Sequence, residues 1–198
     1  MILIGNESYE SAYFKVLEIL LSDKYKIEND SKIAHETNAC LTFDHLAGAV
    51  ELKDNKFLSN YNYNLIYPDG NQQILLEFDY YKRLFIDSGQ IDNTIKLLGK
   101  DPSSKHAVMR VPDNQDPYLP CQIYQFSRIL NGQLHTNAHM RANNACGLLL
   151  MDMHLNNAIA AHIAKQLGIP AGMYTHFIDS LHIYKEDLKA LLLALPLF

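Results

Sequence analysis

Asn131 and Gly132 separate two stretches of strand character, residues 122–129 and 133–141. An Asn-Gly pair readily adopts the positive φ angles of a two-residue hairpin turn, so it is a strong local signal. We therefore predict an antiparallel hairpin over these residues. Its open end places Cys121 beside the strand that carries Arg141.

Three further stretches repeat apolar residues at helical spacing, and we predict a helix for each of them. The first covers residues 9–23. The second covers residues 90–99 and is expected to end at Gly99, while the third covers residues 152–167 and ends before Gly168. Short strands are predicted at residues 38–43, 49–52, 106–110 and 180–184, polar turns at 59–64 and 68–71, and an apolar packing helix at 188–198.

A chain of 198 residues with 48% hydrophobic content can bury one sizeable core, so a single domain over residues 1–198 is predicted. The net charge of -5 argues against a nucleic-acid surface, which requires clustered Lys and Arg. No apolar run approaches the roughly 20 residues that span a bilayer, and residues 1–5 are too short for a secretion signal. We expect a cytoplasmic protein without membrane contact, whose three cysteines are reduced.

The chain also carries an ordered set of motifs between residues 119 and 184. The set comprises Leu119, Pro120, Cys121 and Gln122, then Gln125 and Phe126, and finally Arg141, Asp152, His182 and Tyr184. In order and spacing it resembles the nucleotide-binding residues of the thymidylate synthase superfamily, and the match extends over residues 101–184. The resemblance implies an α/β (α+β) fold, a mixed twisted sheet flanked by helices, and a homodimer formed through sheet packing. It also implies a pyrimidine mononucleotide as the substrate.

In this family a cysteine thiolate adds to carbon-6 of the pyrimidine, which turns carbon-5 into a nucleophile toward a one-carbon donor. The resemblance assigns that role to Cys121 and assigns phosphate binding near the sulfur to Arg141. Only the thiolate attacks efficiently, so the site is expected to be electropositive. Taken alone, Cys121 would more often be a small buried apolar side chain. Tyr80 matches a family tyrosine that helps to move the carbon-5 proton, and Tyr81 fits that place equally well.

Lys105 and His106 resemble an arginine pair that, in the family, reaches the phosphate bound by the neighbouring subunit. Lysine offers a point charge and histidine a charge that depends on pH, but neither offers the two-pronged guanidinium contact. Weaker phosphate binding is therefore expected. The alternative is a solvated turn after the preceding helix. Ala142 stands where the family has a serine that also contacts phosphate.

Asp152 falls where the family carries asparagine in enzymes that act on uracil and aspartate in enzymes that act on cytosine. A carboxylate accepts from the exocyclic amine of cytosine, whereas it would oppose uracil O4 with acceptor against acceptor. Asp152 is therefore predicted to read cytosine, and the alternative is a helix N-cap. His182 and Tyr184 match a family His-x-Tyr motif that binds the sugar hydroxyl. Alternation along a strand would place both side chains on one face.

Three differences separate this chain from an ordinary thymidylate synthase. Gln122 stands where the family usually has histidine. Residues 60–79 show no counterpart of the helix that carries a catalytic glutamate and a folate-facing tryptophan, and the chain ends at Phe198, before the usual C-terminal lid. The resemblance implies methylenetetrahydrofolate as the one-carbon donor, but these differences make that cofactor doubtful.

The sequence thus favours modification of CMP or dCMP at carbon-5, with hydroxymethyl transfer preferred to methyl transfer. Two alternatives stay open. One is a relative that binds a pyrimidine nucleotide as a sensor or partner subunit, and the other uses Cys121 for folate-independent chemistry on the pyrimidine. His135 and His139 do not predict a metal site, because positions i and i+4 of a strand are about 13 Å apart.

Overall fold

A computed structural model describes residues 1–5, 8–28, 32–44, 88–110, 121–146 and 148–194. Its strands are β1 (Ile2–Gly5), β2 (Ile33–Phe43), β3 (Val108–Arg110), β4 (Gln122–Leu130), β5 (Gln133–Met140), β6 (Asn143–Asn144) and β7 (Ala171–Tyr184). Its helices are α1 (Tyr9–Leu20), α2 (Gln90–Lys100), α3 (Leu149–Leu167) and α4 (Lys185–Ala194), with a 3-10 turn at Asp23–Tyr25. The predictions that lie outside the described residues concern 49–52, 59–64, 60–79, 68–71, Tyr80, Tyr81, Leu119, Pro120 and the last four residues of the predicted helix 188–198.

The strands form one mixed sheet in the order β1-β2-β7-β5-β4-β3, and β6 pairs with β7. Strand β1 is parallel to β2, and β7 is parallel to both β5 and β6, while the other neighbours are antiparallel. The turn between β4 and β5 has φ angles of 50° at Asn131 and 74° at Gly132, which confirms the predicted hairpin. The long strand β7 therefore connects this hairpin to β1 and β2.

The described helices bury their apolar residues against one side of the sheet, which we call the covered face. Its buried strand residues are Ile2, Leu41, Phe43, Ala138, Met140, Tyr174 and Ile178. A second apolar cluster lies where α2 and α3 meet β3, around Leu98, Met109, Leu155 and Ile159. Complete burial of one large apolar side chain contributes roughly 1.5–3 kcal/mol before chain entropy is counted, so the covered face is the main source of stability.

The residues that alternate with this core along each strand form the opposite side of the sheet, which we call the open face. The register aligns Leu3, Cys40, Phe177, His139 and Tyr124 in one row across β1, β2, β7, β5 and β4. The His139 ring lies 6.1 Å from the Phe177 ring and 5.3 Å from the Tyr124 ring, measured between centroids. Leu3 is 66% exposed. Within the described residues, the open face thus carries aromatic and aliphatic side chains without a helix packed over them.

The ends of α3 show which local signals were reliable. Gly168 ends this helix with a φ of 67°, as its missing side chain allows, and this agrees with the prediction. The start was predicted too late, because α3 begins at Leu149 and Leu148 holds the N-cap position. Asp152 is therefore a residue of the first turn rather than the cap.

Other boundaries differ as well: α1 ends at Leu20, β2 begins at Ile33 and β3 begins at Val108. Gly99 lies inside α2, which continues to Lys100 and ends at Asp101. Strand β7 begins at Ala171 rather than at Ser180, so it is far longer than predicted. In the described part of the chain, no helix combines the length and the apolar character needed to cross a bilayer.

Candidate active site

The open end of the β4–β5 hairpin brings Cys121 and Arg141 together. Cys121 directly precedes β4 and Arg141 directly follows β5, so the hairpin places their backbones side by side. The Arg141 backbone N–H donates to the Cys121 carbonyl oxygen at 2.8 Å. Cys121 is half-buried and Arg141 is exposed. A thiol and a guanidinium thus share one end of the sheet.

The segment after Arg141 fastens this end of the hairpin to β7. The Arg141 carbonyl oxygen accepts from the Ser180 backbone N–H at 3.2 Å. Strand β6 then runs beside β7 with Asn144 opposite His182, and the His182 carbonyl oxygen accepts from the Ala145 backbone N–H at 2.8 Å. These backbone bonds hold Arg141 and His182 in a fixed relation.

Asp152 reaches the same region from the first turn of α3. It is 3% exposed, and its Oδ2 accepts from Asn143 Nδ2 at 3.0 Å. Asn143 belongs to β6, which follows Arg141 by two residues. The buried Asn143 amide therefore links the carboxylate on α3 to the short strand that begins two residues after Arg141.

Three influences act on the Cys121 thiol. Burial is the largest and raises its pKa, the positive charge of Arg141 lowers it, and the negative charge of Asp152 raises it. The net result is a pKa above the ordinary value for cysteine, so the thiol is mainly protonated near pH 7. The two opposed charges also mean that Arg141 and Asp152 both lie within electrostatic reach of the sulfur.

Gln122 and Asn156 form a reciprocal pair of amides beneath this end of the sheet. Gln122 Nε2 donates to Asn156 Oδ1 at 2.8 Å, and Asn156 Nδ2 donates to Gln122 Oε1 at 3.1 Å. Asn156 Nδ2 also donates to the Asp152 backbone carbonyl oxygen at 2.9 Å. Gln122 is 1% exposed and Asn156 is fully buried, so this pair joins β4 to α3 inside the protein.

His182 has a defined tautomer. Its Nδ1 lies 3.1 Å from the Ser180 carbonyl oxygen, which can only accept, so Nδ1 carries the proton in the neutral ring. Its Nε2 is then an acceptor, and it is buried without a hydrogen-bond partner among the described residues. The Tyr184 ring lies 4.7 Å from the His182 ring, so both side chains are on the same face of β7.

Lys105 and His106 lie toward the opposite end of the sheet from Cys121. Both are exposed and precede β3, and the residue after them, Ala107, accepts from the Ser127 backbone N–H at 2.9 Å. Ser127 follows Cys121 by six residues along β4, which corresponds to about 20 Å of extended chain. The fold therefore does not bring Lys105 and His106 to the Cys121 site of their own chain.

Sequence reasoning missed two residues that the structure brings to this site. Asn156 lies four residues after Asp152 on a predicted helix, and this spacing of one helical turn was a usable signal. Asn143 lies in a two-residue strand, too short to show any periodicity. Among the described residues, no group of three or more His, Cys, Asp or Glu side chains could hold a metal ion.

Comparison with known proteins gave matches of two kinds, although no protein-family model matches the chain. A candidate thymidylate synthase of Methanocaldococcus jannaschii is 28% identical over 208 aligned residues, which cover 94% of this chain and 92% of that protein. A candidate thymidylate synthase of Methanosarcina acetivorans is 26% identical over 137 residues, covering 66% of this chain and 62% of that protein.

Among solved structures, thermostable thymidylate synthase A from Bacillus subtilis superposes with a TM-score of 0.62 and 14% identity. The superposition covers 95% of this chain and 84% of that chain. At this identity the match concerns the fold, and it confirms the predicted mixed sheet flanked by helices.

Proposed function

Because this chain is a member of the thymidylate synthase-like superfamily, whose enzymes act at carbon-5 of pyrimidines, we propose that it transfers a one-carbon group to carbon-5 of CMP or dCMP. Cys121 would add to carbon-6 of the ring and Arg141 would bind the phosphate. The observation that carries this proposal is the geometry of the hairpin end, where the Arg141 backbone N–H donates to the Cys121 carbonyl oxygen at 2.8 Å and Asn143 holds the buried Asp152 carboxylate nearby. Tyr80 keeps its role in proton transfer by resemblance alone. We place the reaction in the cytoplasm.

Cytosine is the proposed base because Asp152 presents a buried carboxylate. Asn143 Nδ2 donates to one carboxylate oxygen, and this bond supports an orientation in which Asp152 accepts from a ring substituent. The exocyclic amine of cytosine is a donor, whereas uracil O4 is an acceptor and would oppose the carboxylate. In the family an aspartate at this place accompanies the cytosine enzymes, and hydroxymethyl transfer is the proposed reaction on that ground.

The sugar is proposed to bind at His182 and Tyr184. His182 Nε2 is a buried acceptor without a partner among the described residues, and a sugar hydroxyl is a donor of suitable size. Tyr184 lies beside it and can both donate and accept. These features support a ribose or a deoxyribose equally.

A second copy of this chain is proposed to pack against the open face. The row that contains Leu3 and Phe177 leaves apolar groups at the surface of one chain, and a sheet-on-sheet contact would remove them from water. The same contact would explain Lys105 and His106, which lie too far from Cys121 to meet a phosphate bound by their own chain. In a dimer they would meet the phosphate of the other subunit.

Mixing two inactive variants tests this arrangement. Cys121→Ser removes the nucleophile of one chain. Lys105→Ala with His106→Ala removes the phosphate contacts that the other chain provides to its partner. A mixed dimer contains one site with both sets intact, so mixing should restore about a quarter of wild-type activity. Absence of any recovery, with mixed dimers present by native mass spectrometry, would contradict the shared site.

Methylenetetrahydrofolate is the donor used by thymidylate synthase relatives, and it is compatible with this proposal. The described residues contain no set that we can assign to its pterin ring, and the chain has no tryptophan. The proposed roles of Cys121, Arg141 and Asp152 therefore concern the nucleotide, and no step is derived through the folate.

One observation favours a second function, that of a nucleotide sensor or partner subunit. Burial raises the pKa of the Cys121 thiol more than Arg141 lowers it, so the free protein holds a weak nucleophile. Such a chain could bind a pyrimidine nucleotide without attacking it. Folate-independent chemistry at Cys121 would instead show attack without a one-carbon donor.

Incubation with CMP, dCMP, UMP and dUMP in deuterated water separates attack by Cys121 from nucleotide binding alone. Loss of the carbon-5 proton signal in NMR reports addition of Cys121 to the ring without requiring a donor. We expect exchange with a cytosine nucleotide, none with Cys121→Ser, and nucleotide binding about tenfold to hundredfold weaker with Arg141→Ala. Lys165→Ala, which removes an exposed cation at the other end of α3, is the charge-matched control. Binding without exchange would favour the sensor, and absence of binding would exclude all three functions.

A further inference from the structure

The orientation of the buried Gln122 amide is determined by an atom that can only accept. The Asp152 carbonyl oxygen carries no proton, so the Asn156 atom that faces it must be the nitrogen. This leaves Asn156 Oδ1 to accept from Gln122 Nε2, and Asn156 Nδ2 to donate to Gln122 Oε1. Only one arrangement of the two amides satisfies all three hydrogen bonds.

This pair connects the two chemical groups of the candidate site. Gln122 directly follows Cys121, whose carbonyl oxygen accepts from the Arg141 backbone N–H. Asn156 lies one helical turn after Asp152 and bonds to its carbonyl oxygen. Cys121 is thus held through Arg141 on one side and through the amide pair on the other.

We infer that Gln122 and Asn156 are a positioning pair that fixes the Cys121 thiol relative to the Asp152 carboxylate. The inference rests on the proposed function, in which carbon-6 meets the thiol while the cytosine amine meets the carboxylate. Both contacts are made to one rigid ring, so the separation of the two protein groups must match the ring. A displacement of about 1 Å at such a site costs up to a hundredfold in rate.

A structural role and a positioning role make different demands on this pair. Two buried amides that only fill space can be replaced together by apolar residues of similar shape at little cost in stability. Positioning depends on directional bonds, which an apolar pair lacks, because apolar contacts let β4 and α3 shift along each other. The two roles therefore separate in a variant that restores packing without restoring the bonds.

The variants are Gln122→Leu, Asn156→Leu, the double Leu variant, and a swapped variant with Gln122→Asn and Asn156→Gln. The swapped variant keeps both amides and their combined length. Each is assayed for its urea unfolding midpoint, for carbon-5 exchange, and for protection of Cys121 from iodoacetamide by CMP, mapped by mass spectrometry.

We expect each single Leu variant to lower the unfolding midpoint, because it leaves one buried amide unsatisfied. The double Leu variant should recover the midpoint but lose about tenfold or more in exchange and in protection by CMP. The swapped variant should retain exchange near the wild-type rate. Wild-type exchange and protection in the double Leu variant would overturn the inference. If that variant does not fold, a swapped variant that folds normally but loses exchange would also overturn it.

A nucleotide-free measurement keeps this inference separate from the proposed function. The pH dependence of Cys121 alkylation is measured with Asp152 and with Asp152→Asn, first in the wild type and then in the swapped and double Leu variants. Removing the Asp152 charge should shift the midpoint to lower pH in the wild type and in the swapped variant, and by a smaller amount in the double Leu variant. Equal shifts in all three would show that the pair does not set the distance, whatever the result of carbon-5 exchange.

Discussion

Strand β4 buries one glutamine at its start and another in its middle. The amide of the first is hydrogen-bonded, and the amide of the second is not, within the part of the chain that the structure describes. Gln122 is 1% exposed and is paired with Asn156, whereas Gln125 is fully buried and both of its amide atoms lack a hydrogen-bond partner among the described residues. Both lie on the covered face, since they pair with Met140 and Ala138 of that face. The start of β4 is therefore joined to α3 by hydrogen bonds. The middle of β4 instead carries a buried amide without a partner in the described part of the chain, and this lowers the free energy of unfolding.

Like Gln125, the buried histidines His154 and His176 have polar atoms without a hydrogen-bond partner among the described residues. Their protonation gives the largest expected effect on stability. Burial lowers the pKa of His154 to about 4, from an ordinary value of 6.5, and its Nε2 has no partner among the described residues. The unfolded chain therefore binds a proton between pH 6.5 and 4 that the folded chain does not. The contribution of neutral His154 to the free energy of unfolding is therefore fully present above pH 6.5. It is lost as the pH falls toward 4, and the loss is about 3 kcal/mol.

Urea unfolding of the wild type and of His154→Phe at pH 7.5 and pH 4 measures this loss. Phenylalanine keeps an aromatic ring beside Tyr9, whose ring lies 5.1 Å from that of His154, but it cannot bind a proton. The variant should lose less stability on acidification than the wild type. His176, with its pKa lowered to about 3 by burial and by His139, contributes equally to both proteins. Equal losses would contradict the assignment to His154.

Replacing each glutamine by leucine tests the comparison directly. Gln125→Leu removes an unsatisfied buried amide and keeps a similar shape, so it should stabilise the protein by about 1–3 kcal/mol. Gln122→Leu removes one member of a bonded pair, and it should destabilise by a similar amount. Urea unfolding curves for the two variants should therefore move in opposite directions. Destabilisation by Gln125→Leu would indicate that this amide is satisfied in solution, for example by buried water.

The hairpin end of the sheet provides a contrast with the Cys121 end. A Cβ added at Gly172 would lie 2.8 Å from Nε2 and 3.0 Å from Cδ2 of His135, so Gly172→Ala must displace that ring. The expected cost is about 1 kcal/mol in unfolding free energy, without loss of carbon-5 exchange. His135→Ala should remove the part of that cost that comes from the ring when the two changes are combined, while the contact with Gln133 Cβ, at 3.1 Å, remains. A large loss of exchange in Gly172→Ala would show that the two ends of the sheet are coupled.

Local signals predicted the hairpin, α1 and the end of α3, because turn chemistry and apolar spacing are properties of neighbouring residues. The first half of β7 was missed because polar residues such as Thr175 and His176 interrupt its apolar pattern although both are buried. The predicted hairpin also placed Cys121 beside Arg141, because the two residues lie at its open end. The bond between Gln122 and Asn156 joins residues 34 positions apart, and only the packing of α3 on β4 reveals it.

The open face carries a polar pair, His139 and Asp179. Its contribution to the free energy of unfolding should depend on whether a second copy of the chain covers it. His139 Nε2 lies 3.0 Å and 3.1 Å from the two carboxylate oxygens of Asp179, and the Asp179 side chain is 61% exposed. In a single chain, Asp179→Asn should change the free energy of unfolding by less than about 1 kcal/mol, because water screens an exposed pair.

Packing of a second sheet over His139 and Asp179 would remove that water, and the cost of Asp179→Asn would then rise with protein concentration. Unfolding at two concentrations, one on each side of the monomer–dimer midpoint found by sedimentation, measures both values. A cost that is small at both concentrations would mean that the second copy does not cover this part of β5 and β7. The open face would then be exposed to solvent at His139. A dimer contact that brings Lys105 to the site of a neighbouring subunit would have to use another part of the surface.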